Sequence, residues 1–175
     1  SVVITAAVCC LVFSVFGKRW WSPVKKYAVS TIANGTESSD QTFDASEVQS
    51  LYIDWVDGSI QIQRDSGSTL RYTVTGSNAD AATYSLKDGA LSINCAKSGL
   101  FGLGDKHGKN LTITIPENWV ADNISVSAVS APVQAEGLHA RELHTDTISG
   151  TIELSDIQAE KLALSSTSAR ITCSG

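Results

Sequence analysis

From Thr42 onward, apolar and polar residues alternate through most of the chain. In "LYIDWVDGSIQIQ" Leu51, Ile53, Ile60 and Ile62 share one face, and "LRYTVTG" sets Leu70, Tyr72 and Val74 alike. "YSLKDGALSINC" reads as two short alternating runs joined by Lys-Asp-Gly, a hairpin signal. "NLTITIP" aligns Leu111, Ile113 and Ile115 and stops at Pro116. Strand side chains alternate with period two, so these runs predict an all-β domain over 42–175. Residues 28–41, "AVSTIANGTESSDQ", are small and polar without sustained periodicity and read as a linker.

Beyond Pro116 a second and longer period appears. "ISVSAVSAPVQAEGLHARE", "LHTDTISGTIELSDIQAEK" and "LALSSTSARITCSG" align without a gap at a spacing of 19 residues. Ile124, Leu143 and Leu162 share one slot, and Val126, Thr145 and Leu164 another. Val133, Ile152 and Ile171 fill a third, Ala135, Leu154 and Cys173 a fourth, Leu138 and Ile157 a fifth. A gapless repeat of short β runs predicts a β-solenoid, in which one coil cannot bury its inner face alone. Equivalent residues then stack about 4.8 Å apart, with His144, Asp146, Glu153 and Asp156 on the solvated side. An antiparallel sandwich is the rival, and it would not require a gapless period.

The slot of Gly150 holds Ala131 and Ala169 in the neighbouring repeats, and Ser130, Ser149 and Ser168 coincide. Small residues at a fixed place predict a crowded corner between two strands, and Pro132 suits such a corner. A ligand-binding glycine loop would not be expected to recur in every coil. "DWVDGSIQIQ" has the residue order of "DTISGTIELS", but Asp54 lies 92 positions before Asp146, not a multiple of 19. It is expected to mark an early strand pair of the same kind, with the strict solenoid beginning at about Ile124.

The N-terminus follows a different rule. "SVVITAAVCCLVFSVFG" has no charge across 17 residues and no polar stripe, unlike an amphipathic core helix. Trp20 and Trp21 follow among Lys18, Arg19, Lys25 and Lys26, as residues at a membrane interface do. A cleaved signal peptide would show small residues after the apolar run. The pattern predicts a transmembrane helix over 1–17, short of about 20 residues because its start is expected to be cut. A basic and aromatic juxtamembrane segment and linker would follow over 18–41. Met is absent and the chain stops within a repeat, so both ends are expected to be truncated.

Charge separates the two parts. The net charge is −5, and from Tyr27 onward nine Lys or Arg face all eighteen Asp and Glu. An acidic domain of this kind argues against a nucleic-acid partner, whose phosphates need a basic surface.

In order, "SLKDGALSIN", "NLTITIP" and short repeats such as "ISGTIEL" resemble the bacterial putative-adhesin β-strand repeat family, also called toast-rack domains. The resemblance covers roughly Thr42 to Gly175. It implies a single-stranded, right-handed, parallel β-helix-like solenoid, often tethered to a membrane, for which a link to envelope stress sensing has been proposed. It implies no catalytic residues. Ala in two of three corner slots departs from the pattern. The resemblance also implies an extracytoplasmic domain, whereas the cations after the apolar run favour the cytoplasmic side.

Candidate chemistry is sparse. "GLFGLGDKHGKN", Gly99–Asn110, misses the phosphate-loop spacing, and Asn110 stands where a hydroxyl residue is required. His144 and Asp146 project from one face, with His139 in the slot of Gln158, a weak metal signal. Cys95 and Cys173 are open to two readings, a disulfide or two buried thiols. No CxxC pair occurs. "NGT", "NLT" and "NIS" match glycosylation sequons, as chance produces in a Ser- and Thr-rich chain.

No catalytic, cofactor or metal residue is assigned. The expectation is a non-enzymatic, single-pass membrane protein anchored through residues 1–21, with the outer solenoid face open to a protein or glycan. A sensor of envelope stress is the alternative. A polysaccharide-acting enzyme would need acidic residues clustered in a groove, and here they are scattered.

Overall fold

The computed structural model describes residues 31–33, 36–77, 82–95 and 108–175. The predicted membrane helix, the basic segment 18–30 and most of Gly99–Asn110 lie outside the described residues. Among the described residues no helix is long and apolar enough to cross a membrane.

Fourteen strands are described: β1 (Thr31–Ala33), β2 (Thr36–Asp44), β3 (Ser50–Trp55), β4 (Gly58–Asp65), β5 (Thr69–Ser77), β6 (Thr83–Lys87), β7 (Ala90–Asn94), β8 (Lys109–Pro116), β9 (Ala121–Ala128), β10 (Val133–Glu136), β11 (His139–Thr147), β12 (Ile152–Ser155), β13 (Gln158–Ser166) and β14 (Ile171–Ser174). A 3-10 turn, Ala45–Glu47, joins β2 to β3. One sheet has the order β1-β2-β5-β8-β4-β10-β12-β14, the other β13-β11-β9-β3-β7-β6.

The strands from β9 to β14 form the predicted coils. The chain alternates between the sheets, and each strand pairs in parallel with the one a coil later, Val133 with Ile152 and Ile152 with Ile171. The 19-residue period is therefore the length of one coil. Parallel ladders exclude the antiparallel sandwich for this part.

"DWVDGSIQIQ" is itself a coil, stacked in register on the next. Asp54 pairs with Ser127, Trp55 with Ala128 and Ile60 with Val133. After β4 the chain turns away, forms β5 and β6, and lays β7 and β8 parallel to the far edges of β3 and β4. It then crosses back to begin β9. The stacking order is thus β7/β8, β3/β4, β9/β10, β11/β12, β13/β14, and the solenoid does not begin at Ile124 as expected. A detour between adjacent coils explains the spacing of 92.

Apolar ladders run through all five coils. Leu91, Leu51, Ile124, Leu143 and Leu162 stack in one sheet, and Leu111, Ile60, Val133, Ile152 and Ile171 in the other. All but Leu162 and Ile171 are at most 2% exposed. Each such burial is worth roughly 1.5–3 kcal/mol.

Corners are built from backbone and hydroxyls. Ser130, Ser149 and Ser168 donate their N–H groups to Val56, Val129 and Ile148 in the preceding coil. Thr147 Oγ1 accepts from Gly150 N at 2.9 Å, and Ser166 Oγ from Ala169 N at 3.0 Å. A Cβ on Gly150 would lie 2.0 Å from the Ala131 carbonyl oxygen, so glycine is required there by crowding. At the opposite turn Gly137 and Asp156, one coil apart, both have positive φ (69° and 51°). Glycine and aspartate are residue types that tolerate this conformation.

The far end of the stack is antiparallel. β6 pairs with β7 through a turn at Asp88 and Gly89, both at positive φ, as the hairpin signal predicts. β5 pairs with β8 and β2 with β5. Phe43, Tyr72 and Tyr84 pack there with ring centroids 5.3–6.1 Å apart. Part of the segment read as linker is therefore strand, since β1 and most of β2 fall within 28–41. Pairing with β5 along nine residues orders β2, and that partnership leaves no trace in a run of small polar residues.

The disulfide reading is also corrected. Cys95 follows β7 in the first coil and Cys173 lies in β14 in the fifth, on the other sheet, and no bond joins them. Four coil steps amount to roughly 19 Å, beyond the ~7 Å Cα reach of a disulfide. Cys95 is half-buried and Cys173 exposed, so the buried-thiol reading fails for Cys173 as well.

Candidate binding surface

Strand alternation turns the polar half of each coil outward. On the eight-stranded sheet one row runs Thr112, Gln61, Gln134, Glu153 and Thr172, one residue per coil. Gln61, Gln134, Glu153 and Thr172 of this row, with Gln63 and Glu136, line a shallow open groove of about 400 Å³. Gln134 Nε2 donates to Glu153 Oε2 at 3.0 Å, and Gln61 Nε2 to Gln63 Oε1 at 3.5 Å. The groove thus offers amides, hydroxyls and two carboxylates on a backbone fixed by parallel ladders. Its chemistry is hydrogen bonding to a polar partner.

The other sheet presents polar side chains in contact with one another. His144 Nε2 lies 3.1 Å from Asp146 Oδ1, which also accepts from Ser127 Oγ at 2.9 Å. The predicted shared face of His144 and Asp146 is therefore present. His139 sits at the start of β11 opposite Gln158, on the order of 20 Å along the strand from Asp146. The three residues do not converge, and among the described residues no group of three or more His, Cys, Asp or Glu could hold a metal ion.

Two further candidates resolve into architecture. Of the glycine-rich stretch, Gly108 packs on Gly58, where a Cβ would come within 2.4 Å of the Gly58 Cα. Lys109 and Asn110 begin β8, and Asn110 accepts from Ser59 Oγ at 2.9 Å. Burial raises the Cys95 thiol above its ordinary value, opposed by the positive charge of Lys109. A raised thiol is a poor nucleophile at neutral pH.

Sequence reading missed two tryptophans that tie the layers together. Trp55 Nε1 donates to the Lys109 carbonyl and Trp119 Nε1 to the Val48 carbonyl, each at 2.8 Å and buried. For Trp55 the signal was available, because it continues the inward alternation of Leu51 and Ile53.

The Toastrack DUF4097 family model matches residues 48–175. The chain belongs to the Toastrack DUF4097 family. No curated protein matches it. The Toastrack chain is similar in fold to a putative cell adhesion protein of Clostridium sporogenes, at a TM-score of 0.62 and 11% identity, covering 79% of this chain and 99% of that one. A putative adhesin of Parabacteroides distasonis aligns at a TM-score of 0.43 and 11% identity, over 78% of this chain and 64% of that one. The Toastrack assignment agrees with the resemblance carried by "SLKDGALSIN", "NLTITIP" and the coil repeats.

Proposed function

We propose that this Toastrack chain is a non-catalytic binding or scaffold module, anchored in the bacterial cell membrane by residues 1–21, with its solenoid outside the cell. The observation that carries the reading is the groove on the eight-stranded sheet, where Gln61, Gln134, Glu153 and Thr172 repeat coil by coil on a fixed frame. Such a surface suits an extended polar partner, a glycan or a protein segment, held by several hydrogen bonds in series. The name of the Clostridium sporogenes relative, a putative cell adhesion protein, points the same way.

Protease added to intact cells tests the placement. Digestion of the β domain without lysis is expected, and full protection would sink the outside reading. Binding is tested on whole cells or immobilised glycans. Gln134→Ala with Glu153→Ala should lower attachment at unchanged circular dichroism, and unchanged attachment would remove the groove from the proposal. A sensor module is the second reading, favoured by Lys18, Arg19, Lys25 and Lys26, whose position after the apolar run suits a cytoplasmic domain. Protection from protease would favour it.

A further inference from the structure

The groove is part of a longer row. Asp40, Thr73, Thr112, Gln61, Gln134 and Glu153 pair in direct register across β2, β5, β8, β4, β10 and β12. One outward polar side chain thus stands on each of six adjacent strands, and the row crosses from the cap into the stack without a break. Its members are exposed or half-buried, while the residues beside them in their strands, such as Ile60, Ile62, Leu111 and Ile113, are buried. Neighbouring strands lie about 4.8 Å apart, so the row runs about 24 Å at right angles to the strands.

Spacing limits what can follow such a row. An extended peptide advances about 3.2–3.4 Å per residue and falls out of step with the rungs. A polyproline II segment returns the same side of its chain about every 9 Å and reaches alternate rungs only. An extended β-1,4-linked glycan advances by nearly one strand spacing per sugar, so each sugar meets a new rung. Gln and Thr side chains both donate and accept, as sugar hydroxyls do.

Charge narrows the class further. Among the described residues no base lines the groove, whereas Glu136 and Glu153 are carboxylates on it. Asp40, at the other end of the row, is balanced by Arg71 at 4.0 Å. A polyanion would therefore meet repulsion over the groove, and an amine-bearing sugar would meet opposite charge. No aromatic ring stands in the row, so no single sugar is held by stacking and affinity accumulates over the rungs.

We propose, on the footing that the groove is the binding surface, that the eight-stranded sheet holds a β-1,4-linked glycan bearing amino groups, laid along this row at one sugar per strand. Calorimetric titration of the full 175-residue chain, in mild detergent, with β-1,4-linked glucosamine oligosaccharides tests it. Affinity should rise about threefold per sugar, the effect of roughly one neutral hydrogen bond, so a tetramer should bind about tenfold more tightly than a dimer. A β-1,4-linked uronate tetramer should not bind. Equal affinity for dimer and tetramer, or binding of the uronate, overturns the proposal. Gln134→Lys, in the row, should weaken tetramer binding at least tenfold with circular dichroism unchanged. Ser125→Lys, outward on the other sheet, adds the same charge and should change nothing, and equal effects of the two also overturn the proposal. If no glucosamine oligomer binds while Gln134→Ala with Glu153→Ala still lowers attachment to cells, this ligand is rejected and the groove remains the binding surface. If attachment is unchanged as well, both fall.

Discussion

The coil stack and the antiparallel cap use the same strand chemistry and specify it in opposite ways. In the stack from β9 to β14, each position meets its own equivalent 19 residues later, so one environment recurs and one residue type recurs with it. In the cap, β2 and β5 meet through a nine-residue antiparallel register that no repeat encodes, and the apolar contacts are a particular trio, Phe43, Tyr72 and Tyr84. Stability in the stack is thus shared among interchangeable rungs, whereas the cap depends on individual side chains.

The strongest test of the ladder is a charge inside it. Ile152 is fully buried between Val133 and Ile171. Ile152→Asp should cost at least about 4 kcal/mol, a burden comparable to the whole stability of a domain. Glu153→Lys, one residue on and facing solvent, should stay within about 0.5 kcal/mol. Urea denaturation measures both, and similar effects would overturn the inward and outward assignment. Corner crowding comes next. Gly150→Ala sets a Cβ against the Ala131 carbonyl and should cost about 1–3 kcal/mol, as overpacking does. Gly67→Ala is the control, since its Cβ would meet only Asp65 Oδ2 at 3.5 Å. In the cap, Phe43→Leu removes an edge-to-face contact with Tyr84 and a stacked one with Tyr72, an expected loss of about 1–2 kcal/mol. Hydrogen exchange should place that loss in β2, β5 and β6 and leave β9 and β11 protected.

Legibility in the sequence followed the same division. Ile124, Leu143 and Leu162 announced their ladder because consecutive coils are consecutive in the chain. Leu51 and Leu91 belong to the same ladder and could not be placed in it. Their coils are separated from Ile124 by a detour, and periodicity reports only neighbours in sequence. β2 was misread because its order comes from β5 and not from its own pattern. The outward rows were legible from alternation alone. The groove was not, since it depends on which coil lies beside which. Gly137 and Asp156 were a missed clue, two residue types tolerant of positive φ at the coil spacing.

Acid and alkali should separate the two regions, though weakly, because the groups involved are exposed. Near the cap, Asp44 accepts from the hydroxyl and N–H of Ser46, which together hold its carboxyl below the ordinary value. A depressed carboxyl contributes stability that is present above its unfolded value of about 3.9 and is lost as pH falls through the folded value. In the stack, hydrogen bonding and attraction from Glu142 raise the Lys161 ammonium. A raised ammonium contributes stability that is present below about 10.4 and is lost as pH rises through the folded value. Asp44→Ala should therefore flatten the acid limb of a stability-versus-pH curve and leave the alkaline limb alone, while Glu142→Gln should flatten the alkaline limb. If Asp44→Ala altered both limbs equally, cap and stack would titrate as one unit. The separation between a region held by particular partners and one held by repetition would then fail at its least costly test.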